Sequence, residues 1–448
     1  MPGRKRGGGR MSPYHFLAYL AIAYYIALYS VHFALLLVGY RVALRWKYAG
    51  YIEEAHRLSR SALVPPVTIA VDTEALGDDA IQWVDRALSH RFPQLEVLVL
   101  CGDPDEPRVD LLVKAYYLRR VDRVFKRVLD SPRPDRVYQS DDRRLTLVVA
   151  EGSRRGALLN LALNLARYPL FGVADRGSFL AEDALLRMVR PFMEAEASAP
   201  AVMGVEIPLE MEGDDLLPPR RITRFSLMES LRFQLGYLLG APFLGGPAVM
   251  HGAFVLYRKE DLVSAGGFAP SPSVQEAEMD MTLRLHRLMR EARRRYRFVF
   301  LPQLVDRRDF PCAWREHVRD EGERWKGMRA AFSRHADMFL RRRYGWLGMA
   351  HLPAFWLFVH VAPAVGFAST LLTLLFFFLG LVGWKVLAFF LAAFALYPAL
   401  VGALTVVAAR RELGILGGQG ALLYGYAFMT QLWFRQLSSL AAYISGFR

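Results

Sequence analysis

The chain has 448 residues, 53% of them hydrophobic, with 57 Lys+Arg against 43 Asp+Glu and a formal net charge of +14. That length allows two or three domains, and the abundance of apolar residues excludes a disordered chain. Two cysteines, Cys101 and Cys312, exclude a disulfide framework and a self-contained zinc site, and read as structural thiols in a reducing compartment.

In chain order, residues 1–11 are basic and glycine-rich and read as a disordered tail. Ser12–Tyr40 carries no charged residue and is ringed with tyrosines, longer than the roughly 20 residues that cross a bilayer. It lacks the short apolar run and small-residue cleavage site of a signal peptide, so residues 12–45 are expected to be a permanent anchor and 46–64 a charged linker. Residues 65–335 form a soluble middle, and residues 336–448 return to apolar sequence. There Leu352–Trp384, punctuated by Pro353 and Pro363, reads as an interfacial lead-in and a span. Val386–Ala409 reads as a further span, and Leu413–Phe434, interrupted by glycines, either spans or lies in the interface. Too few spans are present to enclose a solute path alone, which sets a transporter aside.

Arg341, Arg342 and Arg343 precede the second span, only Lys385 lies between the second and third, and Arg410 and Arg411 follow the third. Basic flanks stay on the cytoplasmic side, so the middle is expected in the cytoplasm. The amino terminus gives a near tie, with Arg4, Lys5, Arg6 and Arg10 facing Arg41, Arg45 and Lys47 across the anchor. The basic excess is explained by these flanks meeting anionic headgroups of a lipid bilayer, and no nucleic acid is expected as a partner.

In the middle, strand-like runs at Val67–Val71, Leu95–Leu100, Leu145–Val149, Ala201–Ile207 and Phe298–Leu301 alternate with helical patterns. The helical patterns cover Asp78–His90, Arg154–Ala166, Ala181–Met193 and Glu276–Ala292. This alternation predicts an open, mostly parallel α/β sheet, with ligands in the crevice beyond the carboxyl ends of the strands. Trp314, Val318 and Trp325 recur at helical spacing, which predicts an amphipathic helix near 312–330 at the membrane surface.

The stretch PPVTIAVDTEALGDDAIQWVDRALSHRFPQLEVLVLCGDPD resembles the opening strand–helix–strand of family 2 glycosyltransferases of the GT-A type. NLARYPLFGVADRGSFLAEDALLRMVRPF is similar to the segment carrying their DxD motif, HGAFVLYRKEDLVSAGGF to their acceptor-side strand and helix, and EGERWKGM to their QxxRW box. The order of segments, with an anchor before and an apolar block after, resembles the membrane-embedded polysaccharide synthases, which include cellulose, chitin, hyaluronan and poly-N-acetylglucosamine synthases. The resemblance implies a nucleotide-sugar donor, a glycan acceptor, and a place in the bacterial inner membrane as a multi-pass protein with its soluble domain cytoplasmic.

The resemblance also assigns roles. Asp72 and Glu74 follow the first strand, and Asp103 stands, displaced, after the second, where Cys101 and Gly102 replace an acidic pair. Asp175, Arg176 and Gly177 fall on the DxD, so one carboxylate is missing and a guanidinium adjoins the other, which disfavours a divalent ion. Mg²⁺ or Mn²⁺ is expected only if the family mechanism is retained; otherwise no cofactor and no resident metal are expected. Glu278 is the candidate base, with Glu276 and Ala277 in that place if one residue is inserted. Glu321 takes the Gln position of QxxRW, while Arg324 and Trp325 remain, to meet a phosphate and a sugar face or to fill core. His251 and Gly252 lie on the acceptor side, where a buried histidine is the commoner outcome, and Asp175 serves equally as a turn cap.

Two readings start from this fold. In the first, Arg176 with Arg154, Arg155 and Arg324 neutralises the diphosphate in an active, metal-independent transferase. In the second, which the several altered motifs favour, the chain is a catalytically degenerate homologue that works in glycan assembly with a second membrane or envelope protein.

Overall fold

The computed structural model describes residues 12–48, 61, 63–76, 80–103, 106–175, 177–194, 198–211, 217–271, 273–413 and 420–446. The expected tail at 1–11, most of the expected linker, and the candidate Arg176 lie outside them.

Helix α1, Pro13–Tyr48, is apolar on all sides over its first 32 residues. The α/β body follows: β1 Val67–Asp72, α2 Ala80–Ser89, β2 Leu95–Cys101, α3 Pro107–Ala115, β3 Arg119–Arg120, β4 Arg136–Gln139, β5 Leu145–Val149, α4 Arg155–Leu165 and β6 Leu170–Ala174. It continues with β7 Phe179–Leu180, α5 Ala184–Met193, β8 Ala201–Pro208, α6 Arg221–Leu231, β9 Phe254–Arg258, α7 Lys259–Ser264, α8 Val274–Glu291, β10 Val299–Arg308 and α9 Trp314–Arg334.

The strands form one sheet in the order β3-β4-β5-β2-β1-β6-β9-β8-β10-β7. Strands β5, β2, β1 and β6 are mutually parallel, β9 runs antiparallel between β6 and β8, and β10 is parallel to β8. Every residue of β1 and β2 is buried, because helices cover both faces, and such strands read as unbroken apolar runs. Ile69, Val71, Val97 and Val99 pack with Trp83 of α2 and Met188 of α5 on one face. Ala70, Leu98, Leu100 and Val148 pack with Leu158 and Leu161 of α4 on the other, the period-2 alternation of a strand. All the long parallel strands therefore end on one edge, where the ligand crevice belongs.

Beyond α9, the helical segments 347–360 and 364–378 meet at 53°, the second being α10, Ala362–Phe378, with Pro363 in its first turn as expected of a proline break. Helix α11, Trp384–Leu391, continues through a π-helical turn, Ala392–Leu396, into α12, Tyr397–Leu413. Among the described residues, two helices are long and apolar enough to cross a membrane, Pro13–Leu44 and Trp384–Arg411, and the bent pair would make a third if it is one span. The last apolar segment forms α13, Gly420–Met429, a π-helical turn Thr430–Phe434, and α14, Arg435–Gly446.

The expected amphipathic helix is α9, but it does not lie free on a surface. It is packed between α8 and α14, and a Cβ on its Gly327 would come within 3.3 Å of Glu276 on α8. Its His317 bridges Ser226 Oγ of α6 (3.0 Å) and Ser438 Oγ of α14 (2.6 Å), so α9 bolts the body to the terminal helices.

Candidate active site

The first part of the site is the crevice at the carboxyl ends of β1, β2 and β6. Asp72 ends β1, and the turn that follows carries Glu74, whose backbone N–H donates to Asp72 Oδ1 at 3.0 Å. Arg155, the first residue of α4, reaches across to Asp72 at 3.2 Å and also pairs with Glu74. Burial pushes the Asp72 carboxyl above its ordinary value, and Arg155 offsets this only in part. Beside them the Cys101 thiol donates to the Asp103 carbonyl at 2.8 Å, so the residue replacing an acidic group is sealed into the turn. Thr73 Oγ1 donates to Glu106 at 3.3 Å, which places a further carboxylate, Glu106, in the crevice.

Asp175 follows β6 and is buried; its N–H donates to the Ala253 carbonyl at 2.8 Å and its carboxylate accepts from Gln275 at 3.3 Å. Gly177 adopts φ +65°, and a Cβ there would stand 2.6 Å from Asp309 Oδ2. The carboxylate missing from position 177 is thus matched by one from the end of β10, and only glycine combines that backbone with that neighbour.

Behind Asp175 lies an acidic cluster that sequence reasoning missed. Glu206 on β8 accepts from Ala253 N at 2.7 Å and pairs with Arg308 of β10 at 3.3 Å. Burial disfavours the charge on Arg308, but Glu206, Asp175, Asp320 and Asp306 outweigh it and hold the guanidinium above its ordinary value. Asp306 is buried and pushed well up by that burial and by Glu206. The signal for Arg308 in the sequence is its position: an arginine closing a buried strand needs a partner.

Glu278 lies in the second turn of α8, whose N-cap is Ser273, accepting from Glu276 N at 3.2 Å. It is fully buried, with Oε2 3.4 Å from Gly252 N and Oε1 without a partner. Burial, then the charges of Asp175 and Glu206, push its carboxyl well above the ordinary value. The alternative, Glu276, is committed to Arg334 at 2.6 Å.

The second part is a cavity of about 190 Å³ between the body and the membrane helices, lined among others by His251, Arg324 and Trp325. His251 stacks on Phe233 (centroids 5.7 Å, 24°). Burial, with Arg324 and Arg308 nearby, pulls its imidazole down to about 3, so it is neutral. Arg324 is engaged by Glu321 at 2.8 Å, and Trp325 sits 4.9 Å from the ring of His360. Gly252 has no room for a side chain, since a Cβ would meet Met203 at 2.7 Å. A π-helical turn after α6, Arg232–Leu238, sends Arg232, Phe233 and Tyr237 into this cavity, the kind of helix defect that recurs at functional sites.

The candidates therefore fall into a crevice holding Asp72, Glu74, Asp103, Arg155 and Asp175, and a cavity holding His251, Arg324 and Trp325. Gly252 and Glu278 lie in the wall near both.

No protein-family model matches the chain, and no curated protein matches it. Among solved structures, it is similar to the mannosyltransferase PcManGT from Pyrobaculum calidifontis in complex with GDP-Man and Mn²⁺, at 17% identity and a TM-score of 0.50, over 95% of this chain and 99% of that one. More distant are S. aureus TarS 1-349 in complex with UDP-GlcNAc (12% identity, TM-score 0.38, 83% and 92% covered), and glucosyl-3-phosphoglycerate synthase from Mycobacterium tuberculosis in complex with Mn²⁺, UDP and phosphoglyceric acid (13%, 0.37, 65% and 82%). The chain has the GT-A fold, a mostly parallel α/β sheet with candidate membrane helices on either side of it in the sequence.

Proposed function

We propose that the chain is a membrane-bound homologue of family 2 glycosyltransferases, of the polysaccharide-synthase kind, that takes part in envelope or extracellular glycan assembly. The nucleotide sugar lies in the crevice beside Asp72, Asp103 and Asp175, and the acceptor enters the cavity beside His251 and Trp325. Its own transfer is weak, and it acts with a second membrane or envelope protein. The observation that carries this reading is Glu278, which is fully buried beside Asp175 and Glu206 and so disfavoured as an anion, where an inverting transfer needs an ionised base within hydrogen-bond reach of the acceptor hydroxyl.

A divalent ion of the kind held by PcManGT does not fit these residues. Among the described residues no three potential ligands gather, and the cation of Arg308 already acts on Asp175. The same arginine supports a second reading, active transfer without metal, in which Arg308 supplies the fixed positive charge that a departing diphosphate needs.

Calorimetry on the full chain in detergent, with UDP and GDP with and without Mn²⁺, tests the reading together with a product assay. The expected result is nucleotide binding that Mn²⁺ does not strengthen, and transfer reduced by roughly the 10²–10⁴ that a positioned base contributes. Robust transfer from a nucleotide sugar, abolished by Glu278→Gln, overturns it.

A further inference from the structure

The cavity contains more positive charge than its own carboxylates balance. Three guanidinium groups line it, from Arg232, Arg324 and Arg435, against two carboxylates, Glu229 and Glu321. Arg324 is paired with Glu321 at 2.8 Å and Arg232 with Glu229 at 2.5 Å. Arg435, at the start of α14, has instead the hydroxyl of Tyr29, to which Nη1 donates at 2.8 Å, and the face of the same ring at 5.9 Å. Arg232 is 8% exposed, its Nη1 has no partner, and the two cations lie within electrostatic reach of each other.

Glu229 is the carboxylate that acts on both guanidinium groups, so one positive charge beside the membrane helices is left over, which is costly unless a further anion joins them, and guanidinium groups match the oxygens of a phosphate. One stretch of the wall is apolar, with Leu28 from α1 and Phe355, Phe358 and Val359 from the bent helix pair. A neutral glycan has no use for the unbalanced charge, whereas a phosphate carried on a hydrocarbon chain uses both parts of the wall.

We propose that this cavity binds a lipid phosphate, with Arg232 and Arg435 on the phosphate and the helices of the membrane block along the chain. It rests on the reading of the cavity as the acceptor side, and it deepens that reading by making the acceptor an anionic amphiphile.

The test measures binding to the full chain in neutral detergent, by thermophoresis and with no donor present, so failure of transfer does not affect it. The probes are dodecyl phosphate, dodecanol and inorganic phosphate. Dodecyl phosphate is expected to bind at least tenfold more tightly than either of the others, and Arg435→Gln to weaken it at least tenfold while Arg435→Lys keeps most of it. Glu229→Gln, which removes a carboxylate and no cation, is expected to tighten binding. Equal binding of dodecanol shows an apolar pocket alone, and equal binding of inorganic phosphate shows a headgroup site without a lipid. Each overturns the proposal, as does weaker binding in Glu229→Gln.

Discussion

At position 278 the carboxyl is fully buried with the charges of Asp175 and Glu206 nearby, and its ionisation is governed by that burial and then by those neighbours. An ordinary glutamate ionises near 4.5, whereas this one, raised by burial first and by the two negative charges second, keeps its proton well above that. Between those two values the folded chain holds a proton that the unfolded chain has released, so stability falls as pH rises from about the unfolded value through the folded one. Glu278→Gln keeps the shape and the acceptor for Gly252 N while removing the titration. The variant is expected to be more stable than wild type at pH 8, by about 1.4 kcal/mol for each pH unit over which only the folded wild type keeps its proton, with the gap closing toward pH 5. Thermal unfolding in detergent across that range measures it, and an equal gap at both ends would exclude the buried acid as its source. The sequence places Glu278 where a base belongs but is silent on its burial, because β8, β9 and α8 close over it only in three dimensions. Gly177 is similar: the loss of a carboxylate is legible locally, its counterpart Asp309 only after β10 has crossed the sheet.

Among the elements, the five strand runs and four helices expected from period and composition match β1, β2, β5, β8, β10 and α2, α4, α5, α8 to within a few residues, β10 running on from Leu301 to Arg308. Of these, β1, β2 and β5 are runs of mainly β-branched residues and leucine, buried throughout, a signal that needs no tertiary context. Strand β6 (LFGVA) is less legible because Gly172 interrupts it, and the ring of Phe254 covers that glycine, 2.4 Å from where a Cβ would be. The amphipathic stripe of α9 was legible, and its partner was not: a stripe fits a bilayer surface and a protein groove equally well. What fixes α9 against α8 is Asp280, fully buried, with Arg284 at 2.6 Å, His335 Nε2 at 3.1 Å and Arg334 at 3.5 Å. Burial alone would raise this carboxyl, but the His335 hydrogen bond and the arginines outweigh it and hold it below its ordinary 3.8. Its contribution is therefore present above about 3.8 and lost as pH falls through the lower, folded value. Asp280→Asn is expected to cost about 3–5 kcal/mol at pH 7, the range for breaking a buried ion pair. A loss below about 1 kcal/mol in denaturant unfolding would mean that α9 is held by packing instead.

For the whole molecule, charge-free stretches reveal the apolar helices and basic flanks suggest their orientation, while the cavity they enclose is assembled from α1, the turn after α6, α9, the bent pair and α14 and has no contiguous signature. The one local hint is Arg435, a lone charge beside an apolar run, where an ionisable group needs a reason. The flanks also bear on which side the α/β body occupies. Arg343 pairs with Glu291 at the end of α8 at 3.0 Å, so the basic segment before the bent helices lies against the body, and both belong on the side where lysine and arginine are retained. We expect that side to be the cytoplasm. Cys101 is a poor reporter of this, being buried with its thiol on the Asp103 carbonyl. Cys312 is half-buried, and burial with Glu210 beside it holds its thiol above the ordinary value, so it reacts slowly. Val124, in the segment between β3 and β4, is 99% exposed, and Val124→Cys supplies a fast-reacting thiol outside the core. A membrane-impermeant maleimide is expected to leave that cysteine unmodified in intact cells and to modify it fully once the membrane is permeabilised. Modification in intact cells would put the crevice outside, away from the nucleotide sugars of the cytoplasm, and would remove the donor side of the proposed function together with the orientation.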